Sequence, residues 1–513
     1  MFSAKVHRNI FIVLLTLLGG TMVTSVWAAN LVWILMGLNW LLEGRWREKL
    51  QMDKESRLLQ AIAVLYLLML VGMLWTDNQG AGWSALQVKL PLLCVPLVLL
   101  TTRPVTGRAR TMALGFYVTT VVVVSIIGLV RWMTIPELPY RHIVPYISHI
   151  RFALNCCIVI YLAFGVLLGK RWRENKRMRI LAVVLLVWLL AFLLLIRSYT
   201  AFAILPLVTL VMLLCYRRSW PLIAVWVLLV GGSAVWVGLE CHRYYRLVPM
   251  ATEPLQPCTV NGRPYTHAQD GLIENGNYVN NYICEQELRA EWNLRSRLDY
   301  DSLTATGYGV QPTLVRYLNA LGLTKDSAGV AALTEAQVDA VERGVANPEY
   351  ENGNPVRKMV CTLLLEREFY KHSHAVSGFT MLQRVEMWRA SASVVRDNMW
   401  FGVGTGDVED VLQQWLVERN SELVGRRMNS HNQYLGLLVA LGIVGFALVA
   451  FVFGRACPAL RRQSPLLVAW MLTILISMLT EDTLNTLAGI LFCTYFLAYR
   501  NNTCTNTTHC PTA

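Results

Sequence analysis

ILAVVLLVWLLAFLLLIRSYTAFAILPLVTLVMLLC (180–215) is a pair of apolar stretches hinged on Arg197, Ser198 and Tyr199. Each stretch (180–196 and 200–216) approaches the roughly 20 apolar residues that a membrane-spanning helix needs. Comparable runs lie at 10–26, 28–42, 59–75, 84–101, 111–132, 147–169, 220–239, 432–454, 465–480 and 484–499, making twelve with the first pair. The chain therefore reads as an all-α polytopic membrane protein with about twelve transmembrane helices. Helices 1–9 occupy 1–239, a large and mainly helical loop domain 240–430, helices 10–12 residues 431–500, and a polar tail 501–513. Composition agrees. Of 513 residues, 55% are hydrophobic and 15% charged, whereas soluble domains carry about 25% charged residues. A disordered or fibrous chain is excluded, and a soluble enzyme is disfavoured.

The net charge of +13 would suggest nucleic acid in a soluble protein. Its distribution points elsewhere. Residues 241–430 hold 19 basic and 23 acidic side chains, leaving 27 basic against 10 acidic for the membrane part. With the N-terminus inside, 22 of those basic residues fall in cytoplasmic segments, including the run KRWRENKRMR (170–179). Only Lys89, Arg131, Arg141, Arg151 and Arg197 remain for the opposite side or the membrane. This asymmetry puts both termini in the cytoplasm and the 240–430 loop outside. VWA-AN (26–30) looks like a signal-peptide cleavage site, but the apolar run directly after it favours an uncleaved helical hairpin.

Within the loop, 286–298 and 312–322 have helical spacing. Thr334 and Gln337 make a capping box that opens a helix, and Gly344 stops it. A long helix is expected over 379–398, then the glycine turn FGVGTGD (401–407), then a helix opened by Asp407. Cys241, Cys258, Cys284 and Cys361 allow three pairings, of which Cys258–Cys284 is the expected bridge. In the tail, Cys504, His509 and Cys510 match no structural zinc spacing.

Ionisable residues at the outer boundary of the spans are costly and therefore functional candidates. Arg197 sits in the hinge already quoted. His149 and Arg151 open a span, Lys89 lies within the fourth, and Glu481 and Asp482 mark the turn between the last two. His431 stands where the loop re-enters the membrane, next to Asn432, a residue able to orient an imidazole. Gly436, Gly442 and Gly445 would let the following helix pack closely. The G-x-G-x-G turn at 402–406 lacks the Lys-Ser/Thr and the preceding strand of a nucleotide loop. No HExxH or GxSxG is present, so neither a metal nor a cofactor is expected.

Taken together, Arg384 and Trp388, F-G-V-G-T-G (401–406), H-N-Q-Y-L (431–435) and G-I-V-G (442–445) resemble the bacterial O-antigen ligase and O-antigen polymerase family, membrane glycosyltransferases of the GT-C type. The motifs occupy 384–445 and the region of Arg197; the number of spans and the large loop agree as well. In two places the chain departs from the family pattern: Arg197 precedes Ser198 where the family often has serine first, and Met399–Trp400 replaces a proline before the glycine turn. The resemblance implies a bacterial inner-membrane enzyme with a periplasmic loop. As a ligase it would transfer polysaccharide from an undecaprenyl diphosphate carrier to lipid A-core oligosaccharide, without metal or ATP and with inversion. As a polymerase it would join carrier-linked repeat units. In either case the partners are the carrier-linked glycan donor, a lipid acceptor and membrane lipids, with no nucleic acid or nucleotide. His431, Arg384 and Arg197 are the expected catalytic residues. Arg151, His149, Lys89, Asn432 and Glu481 are expected to bind substrate. A transporter with a periplasmic lid is disfavoured, because the spans lack ionisable residues at mid-depth.

Overall fold

Ser25 shows how the sequence cuts its apolar stretch into separate spans. Its backbone is extended (φ −157°), its N–H caps the end of the first helix at Thr21, and its hydroxyl accepts from Ala28 N–H to start the second. One polar residue thus ends one helix and begins the next. The two helices, α1 (Ala4–Thr24) and α2 (Val26–Glu43), are locked by a buried pair. His7 Nδ1 meets Asn39 Oδ1 at 2.8 Å, and Asn39 Nδ2 donates to the His7 carbonyl at 3.1 Å.

The computed structural model describes residues 3–44, 48–49, 57–135, 138–169, 174–215, 220–248, 251, 254–268, 271–349, 354–373, 376, 379–461 and 464–500. The tail with Cys504, His509 and Cys510 lies outside these, as do part of the 170–179 basic run and Arg45, Arg47, Lys54, Arg217, Arg218 and Arg462. Two compact units emerge, Val227–Gln383 and the remainder of the chain.

After α1 and α2, the larger unit contains α3 (Arg57–Val71), α4 (Gln79–Thr101), α5 (Gly107–Thr134), α6 (His149–Leu168), α7 (Lys176–Leu195) and α8 (Tyr199–Cys215). The next helix, α9 (Trp220–Tyr245), crosses the division between units. Each of the twelve apolar runs falls on a helix. Among the described residues, nine helices are long and apolar enough to cross a membrane. Three are shorter: Tyr199–Cys215, Pro465–Ser477 and Leu487–Tyr499. The chain is an all-α polytopic membrane protein. At its centre is α6, where every residue from Arg151 to Tyr161 is buried; a helix covered all round belongs to a core.

The smaller unit carries a two-stranded hairpin, β1 (Ile273–Glu274) and β2 (Asn277–Tyr278). Its helices are α10 (Glu285–Arg295), α11 (Val310–Ala320), α12 (Ser327–Ala331), α13 (Glu335–Glu342) and α14 (Pro355–Ser373). The expected capping box at Thr334 and Gln337 forms, and Gly344 adopts φ +89° beyond the end of α13. Trp292, Tyr300, Leu314 and Leu318 fill the core. The expected Cys258–Cys284 bridge is absent. Cys258 is exposed in an isolated antiparallel bridge with Pro264, while Cys284 is buried at the start of α10, and both are free thiols.

The larger unit continues with α15 (Thr380–Asp397), α16 (Val408–Glu418), α17 (Gln433–Arg461), α18 (Pro465–Ser477) and α19 (Leu487–Thr494). Two local expectations need correction. Asp407 occupies the N-cap position of α16, but its carboxylate turns away and accepts from Asp77 N–H (2.8 Å) and Asn78 N–H (2.7 Å) at the start of α4. And α17 is not continuous. Gly442 has φ +63° and ψ −173°, so the apolar run 432–454 is two helical pieces joined by a break. Gly442 serves both that backbone conformation and a close approach, of the 399–407 segment rather than of another membrane helix.

Candidate active site

The turn between α18 and α19 is the anchor, because in it two carboxylates, Glu481 and Asp482, are taken out of water. Buried carboxylates need partners, and three other segments supply them. From α15, Arg384 Nη2 meets Glu481 Oε1 at 2.5 Å. From α6, Arg151 donates to Thr483 Oγ1 (2.9 Å) and to the Asp482 carbonyl (3.1 Å), with Glu481 Oε2 4.0 Å away. From the strand of chain entering α17, Ser430 Oγ and His431 N–H donate to the two oxygens of Asp482 at 3.1 and 2.7 Å. Trp388, one turn after Arg384, donates its indole N–H to the His431 carbonyl at 3.4 Å. Arg151, Arg384, His431 and Glu481, four of the residues nominated from sequence, therefore converge on one cluster.

His431 adopts φ +49°, and Arg197 φ +48°. Non-glycine residues rarely adopt this conformation, and it persists where surrounding contacts enforce it. At His431 these contacts are its N–H on Asp482 and its carbonyl under Trp388. Burial pushes the imidazole pKa below its usual value, opposed by the nearby charges of Asp482 and Glu481. A neutral imidazole at neutral pH is the form a general base requires. Burial raises the Asp482 pKa, against the opposing influence of His431 and the Ser430 hydrogen bond. The carboxylate holds the histidine through its backbone; Asn432 is engaged elsewhere, with its carboxamide oxygen accepting from Tyr434 and Leu435 N–H to cap α17.

Arg197 joins a neighbouring group. Its guanidinium lies 5.5 Å from the centre of the Tyr140 ring, which in turn stands nearly perpendicular to the His149 ring with centres 5.6 Å apart. The hinge read from 197–199 is as tight as expected, with only 196–198 between α7 and α8. His149 is within electrostatic range of Arg141 and Arg384. Buried Lys89 is within range of Asp482 and Glu409.

Sequence reading missed Asp482 as the hub, along with Ser430, Thr483 and Tyr140. Asp482 carries the same signal that singled out Glu481, an acid in an otherwise apolar hairpin. The other three are common polar residues whose meaning comes only from contacts such as Arg151–Thr483, which join positions far apart in the chain.

Buried arginines paired with the carboxylate turn thus lie beside a histidine whose burial lowers its pKa, within an all-α membrane protein. Residues 332–450 match the family model described as O-antigen ligase. That match supports the O-antigen ligase and polymerase family, the one the 384–445 motifs resemble. No curated protein matches the chain.

Proposed function

We propose that the chain is an O-antigen ligase, transferring polysaccharide from undecaprenyl diphosphate to lipid A-core oligosaccharide at the periplasmic face of the inner membrane. The observation that carries this reading is the convergence of Arg384, Arg151 and His431 on Glu481–Asp482–Thr483, with His431 and Arg384 both inside the matched segment. A diphosphate-linked sugar already has a good leaving group, so no nucleotide is needed. What it needs is stabilisation of the departing diphosphate. Guanidinium groups offer paired donors with the geometry of phosphate oxygens. Arg384 and Arg151 serve here, and Arg197 and Lys89 extend the positive field. Glu481 Oε1 orients Arg384 through Nη2, and the remaining donors of the guanidinium are the ones proposed to meet the diphosphate. His431 accepts the proton of the acceptor hydroxyl as that oxygen attacks the anomeric carbon, and direct displacement inverts the configuration. His149 and Asn432 are proposed to line the acceptor path.

Deleting the gene and running the lipopolysaccharide as a ladder tests the reaction class. A ligase leaves lipid A-core bare while carrier-linked polymer accumulates. A single repeat unit left on the core would instead make the protein a polymerase acting on the same carrier.

Orientation has its own test. In a background without other cysteines, single cysteines at Lys176 and Val260 should react with an impermeant maleimide from opposite sides, only Val260 from outside intact cells. Both positions are exposed. Labelling of both from outside would overturn the proposed threading.

A further inference from the structure

The glycine turn 402–406 and the break at Gly442 are one object. Breaking a helix leaves backbone carbonyls and N–H groups without partners, and such groups cost several kcal/mol each where water is excluded. Here a second segment supplies the partners. The carbonyls of Val439 and Ala440 accept from Val403 N–H (2.9 Å) and Gly404 N–H (3.1 Å). Beyond the break, Ile443 and Val444 N–H donate to the carbonyls of Met399 (2.8 Å) and Trp400 (3.2 Å). The fit leaves no room for side chains. A Cβ on Gly402 would stand 2.5 Å from the Val439 oxygen, and one on Gly442 2.3 Å from the Trp400 oxygen; both residues have positive φ.

The far side of the same turn is fastened to α3 and α4. Thr405 Oγ1 donates to the Met69 carbonyl at 2.6 Å, Gly406 N–H to Thr76 Oγ1 at 3.3 Å, and Asp407 receives the Asp77 and Asn78 N–H groups. The turn directly follows α15, which carries Arg384; the broken helix directly follows His431; α4 carries Lys89. The elements that carry Arg384, His431 and Lys89 are thus all tied to this turn.

We infer that the 399–407 turn and the Gly442 break form a positioning interlock that holds the Arg384 helix in register with His431. Gly402, Thr405, Asp407 and Gly442 are its positioning residues. The inference rests on the proposed transfer reaction for its activity readout and on backbone geometry for the rest.

Gly442→Ala is the direct test, with Gly454→Ala in the same helix as control, since a Cβ there meets nothing within 4 Å. Two readouts apply to purified protein: steady-state transfer, and amide hydrogen exchange at Val403, Gly404, Ile443 and Val444. Gly442→Ala should speed exchange at these four amides and lower kcat at least about tenfold. The KM for the carrier-linked donor should change much less, because aligned proton transfer tolerates displacement less than ground-state binding does. Faster exchange with unchanged kcat overturns the inference. Should Gly442→Ala fail to accumulate, Thr405→Val removes only the bond to Met69 and Thr405→Ser keeps it. The serine variant should recover the kcat that the valine variant loses, and equal rates for the two overturn the inference. Wild-type protein with protected amides and no transfer would sink the proposed reaction but not the interlock. Fast exchange at those amides in active wild type would do the reverse.

Discussion

His431→Ala lowers the transfer rate by about 10²–10⁴-fold, the usual cost of losing a general base, while donor binding remains close to normal. In the proposed reaction the imidazole works on the acceptor hydroxyl, whereas the arginines hold the donor. The pH profile follows from burial. Burial holds the His431 pKa below its ordinary value, so the base is mostly neutral at pH 7 and the acid limb of the rate has its midpoint below that of a free imidazole. The rate falls only under more acidic conditions, as the imidazole takes up a proton. Asp482 opposes that lowering, so Asp482→Asn should move the acid limb to still lower pH. A limb moving toward neutrality in Asp482→Asn would contradict the electrostatics, and His431→Ala retaining more than about a tenth of the wild-type rate would leave the histidine a purely structural residue.

The second large effect is at Arg384. Arg384→Lys keeps the charge yet loses the planar two-donor fork, and the rate should drop by roughly 10²-fold or more, the scale seen for loss of one preorganised transition-state donor. Lysine is the informative substitution. Alanine would leave buried Glu481 without its main partner, which typically costs about 3–5 kcal/mol of stability and would confuse misfolding with inactivity. Because Arg384 and Glu481 are in contact, their single-variant effects should not add in Arg384→Lys/Glu481→Gln. Additive losses would mean that the pair does not work as a unit. Both readings require each variant to elute as a monodisperse detergent-solubilised protein.

The spans were legible because hydropathy is a property of side chains, and each apolar run became a helix. The break at Gly442 escaped for the same reason. Apolar side chains continue through 432–454, and what fails is the backbone, whose partners lie 40 residues upstream. The paired glycine patterns G-V-G-T-G and G-I-V-G were in view, but the first was weighed as a phosphate loop and the second as a packing surface. Within the site, charged residues at span boundaries led to His431, Arg151 and Glu481, since burying charge is rarely tolerated without a purpose, whereas Arg384 came from the motif that carries the family resemblance. The same criterion reached Arg197 without revealing that its neighbour is Tyr140. Asp407 was read from its position as a helix cap. Its actual partners, the amides of Asp77 and Asn78 just ahead of α4, lie 330 and 329 positions earlier in the chain, and no local pattern announces them.

The interlock is written in main-chain atoms, and this decides which substitutions the chain can absorb there. Met399 and Trp400 contribute only their carbonyl oxygens, and their side chains are turned outward along with those of Ile443 and Val444. Any residue supplies a carbonyl, proline included. The apolar residues around the break are therefore free to drift among themselves. Gly402 and Gly442 have no such freedom, since for them the requirement is an absent atom.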